Sequence, residues 1–294
     1  MAALAKTRKY IVWSPSDGDI VQMQKAPIER NANSVVLIGG RKVTVSDIAR
    51  VAALMYAINL DVSTIEKIDA DLASSKDLIQ SSFKELTTLQ SNDNIIYDVA
   101  LCRAAVTARI VSLMQGRSRV RSVVMECLVE LLDANIVPNF SSPELAGLEL
   151  CAVLTGCDGS CYMDGEIVSI KSAYEQSGLT PVGLTSSEFL TLQFGQFWTT
   201  GCSCLIAAGA ANILLMIDSV SALSCDSYGA SVEPFDAGHF DTCRQHRGQI
   251  TSAANLRLLL EGSKRTCPSS INPAFCSIPQ INGPIQDSVQ SIVK

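Results

Sequence analysis

The residues best suited to chemistry in this chain are eleven cysteines and two histidines. With only His239 and His246 present, the sequence excludes a histidine-rich metal centre. Cys157–Cys161 and Cys202–Cys204 each bring two thiols close together, but neither has the paired C-x-x-C spacing of a zinc site. The sequence therefore predicts no metal ion, and it shows no cysteine–histidine arrangement for thiol catalysis.

A glycine- and aspartate-rich loop, Gly156–Gly165, has the composition of a loop that could cradle a phosphate with backbone N–H groups. It has no lysine beside a serine or threonine and no G-x-G-x-x-G register, which are the features that make such a loop specific. We therefore expect a surface turn at this position.

The composition limits the classes of partner. Of the 294 residues 47% are hydrophobic and 18% are charged, and the mean hydropathy is +0.24. A chain of this composition is too apolar to be disordered, and we expect it to hide apolar surface between subunits. The net charge of -6 leaves no basic region to neutralise phosphates, so nucleic acid is not an expected partner.

The placement of the cysteines indicates a reducing compartment. Several lie in apolar, helix-like runs, where a free cysteine behaves as a small hydrophobic residue. The N-terminus carries Lys6, Arg8 and Lys9 but lacks the apolar core and cleavage pattern of a secretory signal. We expect a cytoplasmic protein, with a mitochondrial location as the alternative because this N-terminus is basic and poor in acids.

The elements that must position these residues are mostly helices. Residues 1–43 are predicted to be an irregular segment with short strands, one of them at Val35–Ile38. Residues 44–294 are predicted to form one helical domain. Within it, Ser46 and Ser63 are candidate N-caps of two amphipathic helices.

Two long helices are predicted next, over Ile96–Gln115 and Ser118–Ala134. The short connection between them favours an antiparallel hairpin, and Pro138 forbids continuation of the second helix. A further helix is expected at about Leu145–Leu154.

The segment Phe189–Ile217 contains no charged residue. A membrane-spanning helix needs about 20 consecutive apolar residues, whereas this run includes Gln193, Gln196 and Asn212 and has no basic flank. We interpret it as a helix that is hydrophobic all round and lies in the centre of a bundle. A membrane-embedded segment is the alternative.

Several motifs occur in the order of a known family. Gly116–Arg121 and Leu132–Pro138 resemble a "GxSGVR" turn and an "LNAGIxP" helix end. The most specific stretches are His246–Ile250 and Ala253–Arg257, which precede a "PQxxG" segment at Pro279–Gly283. Together these motifs resemble the histidine and phenylalanine ammonia-lyase family.

The resemblance implies a mainly α fold: a long-helix bundle of the ammonia-lyase/fumarase-like type, with a small irregular or β-containing N-terminal part. It also implies relatives that are usually tetrameric and that eliminate ammonia from aromatic or imidazole amino acids. Relative to the family, the chain is expected to be truncated at its C-terminus, with little more than half of a typical member present.

The family's reaction uses an electrophilic methylidene-imidazolone ring made from an Ala-Ser-Gly tripeptide. The glycine nitrogen attacks the carbonyl carbon two residues back, and loss of water gives the ring. The corresponding residues here are Ser141, Ser142 and Pro143, and a proline nitrogen has no hydrogen to lose. The resemblance therefore implies that no methylidene-imidazolone forms, and no other cofactor is expected.

Other positions of the family's site are also changed. By the same resemblance, Ser187 and Phe194 replace a lysine and an asparagine, and Cys276 replaces the arginine that binds the substrate carboxylate. Phe194 is expected to fill part of the former pocket. Glu188 and Gln249 survive, with a hydrogen bond at a helix start as the alternative role for Glu188.

Two further family motifs are missing: a tyrosine loop expected between Leu72 and Phe83, and a serine–histidine pair expected near Gln90–Asn92. These losses predict a pseudoenzyme that acts as a structural or regulatory subunit of a protein complex. Its partners would be an active paralogue, a larger assembly or further copies of itself. The alternatives are a diverged enzyme with residual ammonia-lyase or thiol-dependent activity, and a small-molecule-binding protein.

Overall fold

The computed structural model shows a mainly helical protein with small sheet elements near its N-terminus, as predicted. It divides into two compact units, residues 35–205 and residues 206–293 of the described part, and each is treated by itself. The predicted boundary between residues 43 and 44 stays a prediction. The residues that the structure describes are 35–54, 56–74, 97–115 and 118–293.

The first unit begins with two parallel strands, β1 (Val35–Ile38) and β2 (Ala57–Leu60), which are joined through helix α1 (Val45–Ala52). Helix α2 (Val62–Ser74) follows β2 directly. Burial alternates along both strands, so one face of the pair packs on the core. The strand at Val35–Ile38 was predicted correctly.

The N-caps of α1 and α2 differ from the two predicted serines. Thr44 caps α1: its hydroxyl accepts from the N–H of Asp47 at 3.2 Å, and the Asp47 carboxylate accepts from the N–H of Thr44 at 3.0 Å. This reciprocal capping box needs an acidic residue three positions after the cap, which Ser46 lacks. The Asp61 carboxylate accepts from the N–H of Thr64 in the first turn of α2 at 3.0 Å, and Ser63 lies inside that helix.

Helices α3 (Val99–Gln115) and α4 (Ser122–Asp133) are the two long helices predicted from sequence. Both begin later than expected. The Asp98 carboxylate accepts from a backbone N–H two residues on, at 3.0 Å, and Arg119 adopts a left-handed conformation (φ 54°) that delays α4. Residues 116–117 lie outside the described residues, so the tight turn of the hairpin stays a prediction.

An antiparallel sheet contradicts the expected surface turn at Gly156–Gly165. Strand β3 (Ile136–Pro138) pairs with β4 (Ser160–Met163), which pairs with β5 (Glu166–Ser169). The connection between β4 and β5 is Asp164–Gly165, and both residues have positive φ, 50° and 89°. Positive φ at both central positions is the geometry of a type I′ turn, one of the two turns favoured in two-residue β-hairpins.

Three shorter helices complete the first unit: α5 (Ala146–Thr155), α6 (Ile170–Ser177) and α7 (Ser186–Gln193). Helix α5 agrees with the helix predicted at Leu145–Leu154 to within one residue at each end. Its buried face joins α3 and α4 in the largest hydrophobic cluster, which includes Ile110, Leu128 and Leu150.

Helix α8 (Phe197–Tyr228) begins in the first unit and passes very close to α3 there. A β-carbon placed on Gly201 would lie 2.5 Å from the backbone nitrogen of Ala105, which is closer than real side chains approach. Gly201 therefore permits backbone-to-backbone packing of α8 against α3.

The later part of α8 is apolar on all sides, as predicted, but the described chain does not bury it, so its place in the centre of a bundle stays a prediction. The stretch Ser186–Tyr228 is long and apolar enough, by length and composition alone, to cross a membrane. The core helix of a soluble protein meets the same two criteria. Much of the α8 surface is apolar and open to solvent, with Ile206 exposed at 73%. The other large hydrophobic side chains exposed in this part are Ile213, Met216, Val220, Leu223 and Tyr228.

The second unit packs the end of α8 with shorter elements. In chain order they are a 3₁₀ turn (Glu233–Phe235), α9 (Ala237–Phe240), α10 (Arg247–Leu259), α11 (Pro273–Cys276) and α12 (Ile278–Val293). Helices α10 and α12 are in backbone contact, because a β-carbon on Gly248 would lie 2.1 Å from the carbonyl oxygen of Gly283.

A buried carboxyl group connects three helices of this unit. Asp218 of α8 is 2% exposed. It accepts from Ser252 Oγ at 2.7 Å and Asn255 Nδ2 at 2.8 Å on α10, and from Asn282 Nδ2 at 3.0 Å and Gln286 Nε2 at 2.9 Å on α12. Each carboxyl oxygen therefore has two neutral donors, which compensates for its removal from water.

Two glycines of α8 form a matched pair for testing this packing. We expect Gly201→Ala to lower the free energy of unfolding by about 1–3 kcal/mol, because the methyl group collides with α3. A methyl group added at Gly209 would meet no atom of the described chain within 4 Å, so Gly209→Ala should raise the free energy by about 0.5–1 kcal/mol through helix propensity. Urea unfolding followed by circular dichroism measures both. Equal stability of the two variants would contradict the close contact.

Candidate functional site

The positions matched to the family's active site are divided between the two units. The first unit contains most of them, and the second contains the remainder. Those in the first unit are Ser141, Ser142, Pro143, Ser187, Glu188 and Phe194, and those in the second are Gln249 and Cys276.

The segment Ser141–Pro143 leads directly into α5, and both serines have structural contacts there. Ser141 donates its backbone N–H to the two carboxylate oxygens of Glu149 at 3.1 Å, and its hydroxyl donates to the same carboxylate. The hydroxyl of Ser142 accepts from the N–H of Leu145 at 3.3 Å. The serines therefore satisfy groups at the start of a helix, as capping residues do.

Burial raises the pKa of Glu149 above its usual value, although the two hydrogen bonds from Ser141 act in the opposite direction. The carboxyl group lies in the first turn of α5, where a negative charge is favoured by the helix dipole. Its hydrogen bonds hold the backbone of the preceding segment in place, and the carboxyl group does not face an open cavity of the described chain.

Glu188 is at the start of α7 and forms a capping box with Thr185. The N–H of Thr185 donates to Glu188 Oε2 at 2.9 Å, and the N–H of Glu188 donates to Thr185 Oγ1 at 3.2 Å. The helix-start role predicted as the alternative for Glu188 is confirmed.

The same carboxylate pairs with Arg121, the residue just before α4. Arg121 Nε donates to Oε1 of Glu188 at 2.7 Å, Nη2 donates to Oε2 at 2.8 Å, and the backbone N–H adds a bond of 3.0 Å. Burial acts to raise the pKa of Glu188, which is 1% exposed, but the bonds from Arg121 and Thr185 outweigh burial and lower the pKa. A carboxylate held in this way is a poor general base.

The other first-unit positions do not form a filled pocket. Ser187 is exposed on α7. Phe194 follows the end of α7 in an extended conformation and is 68% exposed in this chain, so the expectation that it fills part of the former pocket stays a prediction. Gly195 next to it has φ of 128°, which turns the chain before α8 and leaves the Phe194 ring at the surface.

An open groove of about 500 Å³ lies beside Phe194, and Arg109 of α3 forms part of its wall. Arg109 is 7% exposed and donates to the carbonyl oxygen of Thr191. Its guanidinium carbon lies 5.4 Å from the centre of the Phe197 ring. Burial lowers the pKa of Arg109. Sequence analysis did not single out this residue, and the available signal was a second arginine, six positions after Arg103, in an otherwise apolar helix.

In the second unit, Gln249 lies near the start of α10 and is 8% exposed, and its Oε1 atom is buried without a hydrogen-bond donor among the described residues. Cys276 ends α11 and lines a different groove of about 570 Å³ together with His239 and Cys243. Within the described ranges, no group of three or more histidine, cysteine, aspartate or glutamate side chains could hold a metal ion.

The buried thiols are poorly suited to nucleophilic chemistry. Burial raises the pKa of Cys102 and of Cys151 to about 12, so both are protonated near neutral pH. The exposed Cys267 behaves differently, because hydrogen bonds from Ser269 lower its pKa.

Two motif positions fall largely or wholly beyond the described ranges. The segment matched to the tyrosine loop, Ala73–Leu78, begins at the end of α2 and otherwise lies outside the described residues. The segment Gln90–Asn92 lies outside them entirely.

Sequence comparisons connect this chain to lyases of amino acids. Residues 45–294 match the family model for aromatic amino acid lyases. The chain is 28% identical to a histidine ammonia-lyase of Streptococcus pyogenes serotype M1, over 87% of this chain and 57% of that enzyme. It is 29% identical to histidine ammonia-lyase 2 of Fusobacterium nucleatum, over 79% and 52%. The chain thus spans little more than half the length of these relatives.

Solved structures share the fold. A tyrosine aminomutase from Streptomyces globisporus superposes with a TM-score of 0.75 at 23% identity, covering 87% of this chain and 59% of that one. A phenylalanine ammonia-lyase from Rhodosporidium toruloides gives a TM-score of 0.74 at 23% identity, covering 92% and 46%.

The Glu188–Arg121 pair generates a stability prediction. We expect Glu188→Gln to lower the free energy of unfolding by about 2 kcal/mol, because it leaves Arg121 without its charged partner; partial exposure of Arg121 keeps the loss moderate. The matched control is Asp158→Asn, which breaks the exposed ion pair with Lys171 and should cause no measurable change. Urea unfolding near neutral pH measures both.

Acidification gives the second part of this test. Because the pKa of Glu188 is lowered in the folded chain, the ion pair stabilises the fold fully above the unfolded pKa of about 4.3. That contribution is lost as the pH falls through the lower folded pKa. The difference between the parent chain and Glu188→Gln should therefore shrink below about pH 4. A difference that stays constant down to about pH 2 would contradict the assigned ionisation.

Proposed function

The chain belongs to the aromatic amino acid lyase family, and we propose that it is a non-catalytic member that serves as a structural or regulatory subunit of a protein complex. The observation that carries the proposal is Pro143. In the family's chemistry, the third residue of the tripeptide must supply a nitrogen that loses its hydrogen during ring closure. Pro143 has no such hydrogen, so the residues present do not fit a methylidene-imidazolone.

The contacts of the neighbouring serines support the same proposal. Ser141 is bound to Glu149 through both its N–H and its hydroxyl, and Ser142 accepts from a backbone N–H of the helix start. These contacts stabilise one local backbone geometry. A cyclising tripeptide would have to leave that geometry.

The state of Glu188 also supports a non-catalytic role. Its carboxylate oxygens receive bonds from Arg121 and Thr185, and its pKa is lowered, so it is not available to remove a proton from a substrate. Without an electrophile and without a free base, neither part of the elimination barrier is lowered.

The exposed apolar surface of α8 supports a role within an assembly. Large side chains such as Ile206 and Leu223 are more than half exposed, and several others share the same helix. Apolar surface of this extent is characteristic of a protein interface. The partner would be an active lyase, a larger assembly or another copy of this chain. The placement of several cysteines in buried, apolar helices supports a reducing compartment, with the cytoplasm expected first and the mitochondrion second.

The intact mass of the full chain tests the absence of the ring. We expect the mass of the unmodified sequence, because Pro143 blocks cyclisation. A catalytically active histidine ammonia-lyase, purified and measured in parallel, serves as the control and should show a deficit of two water molecules. The chain should also release no ammonia from histidine, phenylalanine or tyrosine. A deficit of two waters in this chain would overturn the proposal.

Native mass spectrometry of the protein, purified gently from its own cells, tests the role as a subunit. We expect a complex of defined stoichiometry with other proteins, because the α8 surface needs a cover. An intact ammonia-lyase in the complex would identify a regulatory subunit, and unrelated partners would identify a structural one. A homo-oligomer without other proteins would contradict a hetero-oligomeric role.

A further inference from the structure

Two cysteines line one groove of the second unit. Cys243 lies in the connection between α9 and α10, and Cys276 ends α11. Both residues line the open groove of about 570 Å³. Cys243 is exposed and Cys276 is partly exposed, so a reagent in solution can reach both. The fold therefore brings two accessible thiols, which are far apart in the sequence, to the same groove.

The contacts of the Cys243 thiol are weak. Its Sγ atom donates to the carbonyl oxygen of Gly238 at 3.4 Å and lies 3.6 Å from Oγ1 of Thr242. Sulfur is a weak hydrogen-bond partner, so neither contact holds the thiol firmly. The side chains of residues 241–246 around it are all exposed, so no buried side chain of this connection opposes a small movement toward Cys276.

Cys225 of α8 is a less suitable partner for Cys276. It is fully buried in the apolar cluster of this unit, and burial raises its pKa, with a further contribution from the neighbouring Cys276. A buried, protonated thiol is a poor nucleophile. Cys243, at the surface of the groove, is therefore the better candidate for a reaction with Cys276.

The polar residues of the lining suit a small anionic thiol reagent. Arg244 supplies a positive charge, and its guanidinium carbon lies 5.9 Å from the centre of the Phe240 ring. His239 supplies an imidazole, the side chain that most readily exchanges a proton near neutral pH. The two thiols and this histidine do not form a metal-binding group in the described chain. The groove thus combines two thiols with a base and a cation.

We propose that Cys243 and Cys276 form a reversible disulfide by exchange with a small anionic disulfide of the glutathione class. The Cys243 thiolate attacks one sulfur of the reagent, which releases one small thiolate and leaves a mixed disulfide. The Cys276 thiolate then attacks the Cys243 sulfur and releases the second small thiolate. The two protons of the cysteines pass to the released thiolates, so the chain is oxidised by two electrons and the reagent is reduced to two thiols. In a reducing compartment such disulfides are transient and sense oxidants, and this role does not rest on the proposed function.

Oxidised glutathione is the probe for this exchange. The full chain is reduced, freed of reductant and incubated with the probe near neutral pH, and the remaining thiols are then alkylated. Mass spectrometry measures the intact chain and its unreduced proteolytic peptides. We expect a cross-linked pair of peptides that contains Cys243 and Cys276, and dithiothreitol should separate it.

Cys267 is an internal control for the same reaction. It is exposed, hydrogen bonds from Ser269 lower its pKa, and it does not line this groove. We therefore expect it to react with glutathione and to keep it as a mixed disulfide. Glutathione on both Cys243 and Cys276 without a cross-link would overturn the proposal. An unreacted Cys243, or a cross-link of Cys276 to Cys225, would overturn it as well.

Cysteine variants separate the two steps. We expect Cys276→Ser to trap glutathione on Cys243, because the thiol that would displace it is gone. Cys243→Ser should abolish the cross-link, and Cys267→Ser, the matched control, should leave its yield unchanged. Circular dichroism shows which variants are folded, and Cys276→Ala replaces Cys276→Ser if the serine variant does not fold. Absence of glutathione from Cys243 in the Cys276 variant would contradict the proposed exchange.

A charge substitution tests the class of the reagent. We expect Arg244→Gln to slow cross-linking by oxidised glutathione at least about threefold, because the cation attracts the charged reagent. The rate with uncharged hydroxyethyl disulfide should not change. The matched control is Arg50→Gln, because Arg50 also lies over an aromatic ring, 5.4 Å from the centre of Tyr56, but in the first unit. Equal rates of Arg244→Gln and the parent chain with oxidised glutathione would overturn the assignment of an anionic reagent.

Discussion

The carboxylate of Glu188 joins the start of α7 to Arg121, the residue just before α4, and the placement of these two helix starts depends on this contact. It closes a capping box with Thr185 and a two-pronged ion pair with Arg121, at 1% exposure. Helix α7 in turn carries Thr191, whose carbonyl oxygen receives the guanidinium of Arg109. The position of α7, and with it one wall of the groove beside Phe194, therefore depends on an ion pair that lies outside the groove.

The polar groups matched to an active site are engaged with helix ends: Ser141 with Glu149, Ser142 with a free N–H, and Glu188 with Thr185 and Arg121. Each contact satisfies a backbone group that a helix terminus leaves open. Such contacts stabilise a fold, but they use the same lone pairs and protons that catalysis would require. The proposed reuse of a lyase scaffold for structural purposes follows from this competition.

Helical periodicity was sufficient to predict α3, α4 and α5, whose apolar residues join a common core, although α3 is buried on all sides over residues 102–110. Helix starts were less predictable. The choice of Thr44 over Ser46 depends on the position of Asp47, and the late start of α4 depends on a left-handed residue. The hairpin at Asp164–Gly165 could have been found from the Asp-Gly turn signal. Motif matching identified Glu188 but not Arg109, because the burial of the Arg109 side chain is a property of the folded chain.

The hydrogen bonds of the Asp218 carboxyl group limit which substitutions the second unit can accept. Its four donors come from two helices, so α8, α10 and α12 share one polar contact that fits in a single register. Apolar interfaces tolerate gradual substitution as long as volume is kept, whereas this contact does not. Loss of any one donor leaves part of a buried carboxyl group without a partner, and loss of the carboxyl group removes the shared acceptor of all four donors. Evolution of this interface must therefore proceed by coordinated replacement of several residues rather than by single neutral steps.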